Sequence, residues 1–263
     1  MRIMGHVSVR MADAGDWKDV VDLFSSDGNP YGWSREKWKH YYVDYPEGEA
    51  LSLVAVAQDG KVVGHYGLQP VSVGEYSAML GMHAFVSPQF RGLTIISQLM
   101  KHVVEECRSR SVDFLIGFAN PQFEQVLVTL FKWRALGYLK FGVSAGIDFK
   151  PYKERYRIKY SDEWFVWKFA KAKGPYINRY EKDGESFHQL LKAGGALEVE
   201  ANEAGLSEIH FWDPALYSQR RPEGWCQGVQ IKVISENVDD RILEIDNWFI
   251  EMGDSDTFEV KSW

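Results

Sequence analysis

Phe85-Val86-Ser87-Pro88-Gln89-Phe90-Arg91-Gly92-Leu93-Thr94-Ile95-Ile96 decides how this 263-residue chain is read. A strand ends, the chain turns through a glycine after Pro88, and a helix begins near Leu93. Along that helix, to about Arg108, Ile95, Ile96, Leu99, Val103 and Cys107 recur at three and four, one apolar face. The unpaired amides of a first helical turn point outward together, with the positive end of the helix dipole behind them. Such an entrance receives a diphosphate. Gly92 has no Cβ to obstruct a close approach, and Arg91 adds a charge. The competing explanation is an ordinary tight turn, with Gly92 present for conformation alone.

Upstream, Val7 to Met11 alternates as a first strand. Asp13 or Asp16 then caps a helix carrying Trp17, Val20, Val21, Leu23 and Phe24, which Asp27-Gly28-Asn29-Pro30 breaks. Ser34 starts a short aromatic helix through Trp38, Tyr41 and Tyr42. Leu51 to Ala57 reads as a strand, Asp59-Gly60 as a hairpin turn, and Val62 to Val73 as a long strand bent near Gly67 or Pro70. Ser77 to Val86 follows.

Downstream, Val112 to Phe118 is a compact apolar strand whose helical crossover implies parallel pairing. Gln122 to Leu136 reads as a helix closed by Gly137-Tyr138, before a strand from Leu139 to Val143. Beyond Gly146 the pattern changes. A connector (150–159) leads to an aromatic segment, Asp162 to Ala172. Glu185 to Ala193 reads as a helix, and Leu197 to Glu200, Ile209 to Trp212, Val229 to Ile234 and Trp248 to Ile250 as strands. The division falls at residues 1–149 and 150–263.

Apolar residues make up 45% and charged residues 25%, an ordinary globular balance. The net charge is −7 and no basic run appears, which argues against a nucleic-acid partner. Two cysteines, Cys107 and Cys226, form no Cys-x-x-Cys pair, so neither zinc nor a disulfide framework is expected. Asp254-Ser255-Asp256 reads as a solvated turn, and no metal is assigned. Met1 to Arg10 lacks the apolar core of a signal peptide, and no stretch approaches the roughly 20 apolar residues of a membrane span. A cytoplasmic protein, monomer or homodimer, is the expectation.

From Val7 to Val143 the chain resembles the GNAT superfamily of N-acetyltransferases. Gln89-Phe90-Arg91-Gly92-Leu93-Thr94 is similar to its Gln/Arg-x-x-Gly-x-Gly/Ala signature, with threonine at the last position. Val86-Ser87-Pro88 resembles the Val-x-Pro that precedes it, and Asp59 to Gly64 the Asp-Gly-x-x-Val-Gly hairpin. Gly137-Tyr138 is similar to the closing Gly-Phe. The resemblance implies an α/β (α+β) fold: a mixed, mostly antiparallel sheet flanked by helices, with an added aromatic-rich C-terminal α+β region. It also implies that the fourth and fifth strands diverge, so that the pantetheine arm of acyl-CoA lies in the gap. Phe85 and Val86 would then offer backbone groups to pantetheine, and Arg91, Gly92, Leu93, Thr94 and Ile95 amides to the diphosphate. Asn120 would bind the same arm. The co-substrate is acetyl-CoA or a longer acyl-CoA.

Acyl transfer to an amine needs a base for the amine and a proton for the departing thiolate. His83, on the strand leading to the gap, is the first candidate base, and His65 the second; each could instead be a satisfied core histidine. Where relatives place an acidic tyrosine, four residues before the Gly-Phe, stands Trp133, which leaves Tyr138, another residue or solvent.

Among superfamily members the match is nearest to enzymes that acylate nucleotide-linked amino sugars for surface polysaccharides such as O-antigen. Trp38-Lys39-His40-Tyr41-Tyr42, Gly64-His65-Tyr66-Gly67 and Ile116-Gly117-Phe118-Ala119-Asn120 resemble theirs. Trp164, Trp167, Tyr176, Asn178, Trp212, Asp246 and Trp248 would then form the acceptor's stacking wall and hydroxyl partners, unless the tryptophans fill a core. Other readings are a peptide, aminoglycoside or polyamine acceptor, and a non-catalytic CoA-binding protein. Gly142-Val143-Ser144-Ala145-Gly146 matches a hydrolase elbow, but Ile147 to Pro151 lacks the helix that motif requires.

Overall fold

The structure, a computed structural model, describes residues 7–26, 32–144, 156–169, 176–182, 185–192, 208–212, 226–248 and 250. Alternation makes Ser8–Met11 strand β1, which pairs antiparallel with β2, Leu51–Val56. Helix α1, Trp17–Ser25, buries Val20, Leu23 and Phe24. Asp16 precedes it but does not cap it with its side chain. Its carboxylate instead accepts from Asp13 N at 2.7 Å and from Arg10 Nη2 at 2.8 Å, tying β1 to the start of α1. The Arg10 hydrogen bond holds that carboxyl below its usual range. Ser34 is a side-chain cap: its Oγ accepts from Lys37 N at 3.1 Å and opens α2, Arg35–Tyr42.

Asp59-Gly60 turns the chain with Gly60 at φ +85°, as the hairpin signal requires. Strands β3, Val62–Val73, and β4, Tyr76–Val86, follow, then α3, Leu93–Ser109, and β5, Phe114–Gly117. Helix α4, Pro121–Phe131, leads to β6, Arg134–Ser144. Then come β7, Ile158–Lys159; α5, Asp162–Phe169; β8, Tyr176–Lys182; β9, Glu185–Lys192; β10, Glu208–Trp212; and β11, Cys226–Val233.

The strand order is β1-β2-β3-β4-β5-β11-β6-β10-β9-β8, with β7 on β3. Only β4 and β5 pair in parallel among the described strands, so the sheet is mixed and mostly antiparallel. One face packs α1, α2 and α5 over Phe24, Trp38, Tyr41, Trp164 and Trp248. The other packs α3 and α4 over Ile95, Leu99, Val103 and Leu127. Gly64 lets α3 approach: a Cβ there would lie 2.9 Å from Ile95 Cγ2. Strands β7 and β11, both from beyond residue 149, pair within the sheet that β1 to β5 begin.

Three local expectations are corrected. Helix α4 stops at Phe131, where Lys132 takes the left-handed conformation at φ +57°. Gly137 and Tyr138 therefore close no helix. They lie within β6, opposite Val229 and Gly228, because β11 supplies backbone partners from 90 residues away (228 − 138). Glu185–Lys192 is a strand, not a helix, since β8 and β10 flank it on both edges. The Asp183-Gly184 dipeptide between β8 and β9 was the sequence signal for that hairpin. Trp248 makes a single bridge to Tyr156 rather than a strand. Leu197 to Glu200, and Ala145 and Gly146 of the elbow-like motif, lie outside the described residues.

Candidate active site

Ser87 ends β4, a 3-10 turn spans Pro88–Phe90, and Gly92 precedes α3. Gly92, at the N-cap, has no side chain with which to cap α3. The first amides of the helix therefore face outward beside Arg91, Gly92, Leu93 and Thr94, all exposed, while the Ile95 side chain is 2% exposed and anchors the turn to the sheet. Gly92 has φ 160° and ψ 178°, extended backbone open to any residue, and a Cβ there would meet nothing within 4 Å. Conformation alone does not require glycine at this point. Arg91 bends back: its Nε donates to Val86 O at 3.3 Å and its guanidinium lies 5.8 Å from the Phe85 ring centre.

The β4–β5 register runs from Ala78 opposite Phe114 to Gly81 opposite Gly117 and stops. Strand β4 continues to Val86, paired there only with β3 among the described strands. Phe85 lies opposite His65, and Ser87 N donates to Val63 O at 2.9 Å. Alternation in an antiparallel pair thus turns the polar backbone groups of Phe85 to β3 and those of Val86 into the gap. Asn120 sits at the gap's β5 side, where its Oδ1 accepts from Phe123 N at 3.0 Å and caps α4.

Between His65–Phe85 and Gly67–Met82 the β3–β4 register shifts: one β3 residue, Tyr66, faces two β4 residues, His83 and Ala84. His83 stands in this bulge at φ +50°. Its ring lies edge-on to Trp33 at 4.8 Å and to Tyr41 at 4.7 Å, and its Nδ1 is 2.8 Å from Tyr42 Oη. Gly67 gives Tyr42 that reach, since a Cβ there would be 2.2 Å from the phenol oxygen.

His65 is fully buried, with Nδ1 2.8 Å from His83 O and Nε2 3.0 Å from Ser52 Oγ. A carbonyl only accepts, so Nδ1 carries the proton and Nε2 accepts from the Ser52 hydroxyl. Both ring nitrogens are thereby taken, and burial pushes the pKa down to about 3. The folded value lies below the ordinary 6.5, so the unfolded chain binds the extra proton in between. The stability that His65 contributes is present above pH 6.5 and lost as pH falls toward 3. His65→Asn should remove up to about 1.4 kcal/mol per pH unit from the acid-side slope of unfolding free energy. Denaturant titrations at pH 4 to 7 measure it; an unchanged slope would contradict the buried neutral state.

On the far side of β5, Tyr138 Oη donates to Glu124 Oε1 in a short hydrogen bond. Gln230, fully buried on β11, accepts from Ala119 N at 2.9 Å, while its Nε2 has no partner among the described residues. Gly228 leaves the space both use: a Cβ there would lie 2.6 Å from Gln230 Nε2 and 2.7 Å from Glu124 Oε2. Trp133 is buried in the α3–α4 core.

Of the expected acceptor wall, Trp164 is 2% exposed and stacks on Tyr160, and Trp248 is fully buried with its Nε1 donating to Ile242 O. Both are core residues here. Trp167 is half-buried, stacked on His40 at 4.3 Å with its Nε1 donating to His40 O. Asp246 is exposed. The side chains of Tyr176, Asn178 and Trp212 lie outside the described residues. Ser52, Glu124 and Gln230 were not singled out in the sequence, and Tyr42 was named only within the Trp38 to Tyr42 segment, with no role of its own.

A strand pair that opens beside a helix entrance is an arrangement that can take an extended ligand with an anionic tail. Residues 17–122 match the model of the acetyltransferase (GNAT) family. Among curated proteins none matches the chain. A GNAT acetyltransferase of Staphylococcus aureus Mu50 is 16% identical, over 49% of this chain and 85% of its own, with a TM-score of 0.40. A GNAT N-acetyltransferase of Escherichia coli, solved with CoA, is 14% identical over 51% and 72%, with a TM-score of 0.39. One from Kribbella flavida is 19% identical over 51% and 85%, at 0.43. Such values describe partial overlap and say nothing of substrate. No helix among the described residues is long and apolar enough to cross a membrane.

Proposed function

We propose that this protein transfers an acyl group from acyl-CoA to the amine of a dTDP- or UDP-linked amino-deoxysugar, in surface polysaccharide biosynthesis. The observation that carries the acyl-CoA half is the open β4 edge at Val86 beside the start of α3. Amides from Gly92 to Ile95 hold the diphosphate, the Arg91 amide already donating to Pro88 O at 3.4 Å, and Val86 pairs with the pantetheine arm. Phe85, whose polar backbone faces β3, shapes the gap with its ring. Arg91 stands between the two, within reach of both.

The acceptor amine attacks the thioester carbonyl directly. A C–N bond forms, the C–S bond breaks, His83 takes the amine proton, and Tyr138, held by Glu124, returns a proton to the thiolate. Residues 1–149 bind acyl-CoA, and the region from 150 onward contributes acceptor contacts through Trp167, Asp246 and the aromatic strands. The sugar acceptor rests on the resemblance of Trp38 to Tyr42, Gly64 to Gly67 and Ile116 to Asn120 to the sugar-acylating members. Incubating the protein with acetyl-CoA or a longer acyl-CoA and a series of dTDP- and UDP-amino sugars should release free thiol with at least one. Thiol release only with polyamines, aminoglycosides or peptides would move the acceptor to that class, and none with any amine would remove the proposal.

A further inference from the structure

The left-handed backbone at His83 costs a non-glycine residue about 1–2 kcal/mol and must be held by its surroundings. The holding contact comes from the neighbouring strand. His65 reaches across the bulge and donates Nδ1–H to the His83 carbonyl at 2.8 Å. Its other nitrogen is fixed by Ser52 on β2, a residue 4% exposed whose own carbonyl accepts from Ala12 N at 2.7 Å. Three adjacent strands thus converge on one carbonyl. The Phe24 and Tyr42 rings meet the His65 ring at 5.3 and 5.4 Å, closing the site against water. Losing the donor would leave that carbonyl without the partner that fixes the bulge, and bulges set the aim of the side chains they carry.

We infer that His65, locked by Ser52, is a positioning residue that sets the His83 ring against Tyr42 and so aims it at the acceptor side of the β4–β5 gap. The inference rests on the reading of His83 as the base. It also gives the buried histidine a task that its exclusion from solvent would otherwise rule out. Because the ring stays neutral as pH falls well below 6.5, Nε2 remains the acceptor of the Ser52 hydroxyl and the lock persists across the working range.

Two amide substitutions separate the donor's position from its mere presence. The asparagine amide of His65→Asn can place an N–H where Nδ1 was; the longer glutamine of His65→Gln places it where Nε2 was. Nitrogen-15 spectra of histidine-labelled protein, with contacts between the His83 and Tyr42 rings, need no acceptor. The contacts should persist in His65→Asn and be lost in His65→Gln. With an amine that turns over against acetyl-CoA, kcat should fall about 10–100-fold in His65→Gln with KM for acetyl-CoA nearly constant, as expected for sub-ångström misplacement of a reacting group. His65→Asn should stay within about 3-fold of the parent. Identical losses in both variants, or unchanged His83–Tyr42 contacts in His65→Gln, would overturn the positioning role. If His83→Asn itself keeps full activity, the reading of His83 as base has failed instead.

Discussion

Replacing His83 with asparagine is expected to lower kcat/KM for the amine about 10²–10⁴-fold, the range that loss of a general base costs. Asparagine is chosen because, like histidine, it tolerates the left-handed conformation found at φ +50°, so the bulge should survive. It fills part of the space beside Trp33 and Tyr41 and can still meet Tyr42, but it cannot take up a proton. The loss should therefore fall on turnover, with binding of acyl-CoA unchanged, since Val86 and the α3 entrance are untouched. Thiol release followed from pH 6 to 9 gives the second reading. The variant's residual rate should rise with pH in proportion to the free amine alone. Activity within about 3-fold of the parent would show that solvent or another group removes the proton.

What was legible in the sequence was mostly local. The alternation of Ser8–Met11, the Ser34 cap, the Asp59-Gly60 turn and the three-and-four spacing from Ile95 to Cys107 each state a structure that neighbouring residues enforce. The errors fall where partner strands decide. Arg134–Gly137 continues a helical pattern until β11 offers a ladder, and Glu185–Lys192 alternates weakly until β8 and β10 claim both edges. The site divides in the same way. The helix entrance could be read because glycine, arginine and the following apolar face are contiguous. Tyr42 and Ser52 could not, because their roles depend on the pairing of β2, β3 and β4 and on the missing Cβ at Gly67. Tryptophan is the ambiguous case. Composition cannot separate a stacking wall from a core, and burial assigns Trp164 and Trp248 to the core while leaving Trp167 half-buried.

Gly92→Val tests the entrance with the largest expected effect on binding. The substitution should leave thermal unfolding nearly unchanged, because an extended backbone suits a β-branched residue and no protein atom lies within 4 Å of the added Cβ. The space it fills is that through which a diphosphate would approach the amides of Leu93 and Thr94. Affinity for CoA should therefore fall about 10–100-fold, or roughly 1.4–2.8 kcal/mol, measured by calorimetry. Thr94→Ala, at the one position departing from the Gly/Ala of the signature, should bind CoA as well as the parent if its hydroxyl merely fits beside the phosphate. The pairing of outcomes is what discriminates. A glycine kept only for the turn predicts a less stable Gly92→Val whose folded fraction binds CoA normally; a glycine kept for ligand approach predicts a stable protein that no longer holds it. A stable variant with undiminished CoA affinity would place the diphosphate away from α3, and the acyl-CoA geometry proposed here would have to be abandoned.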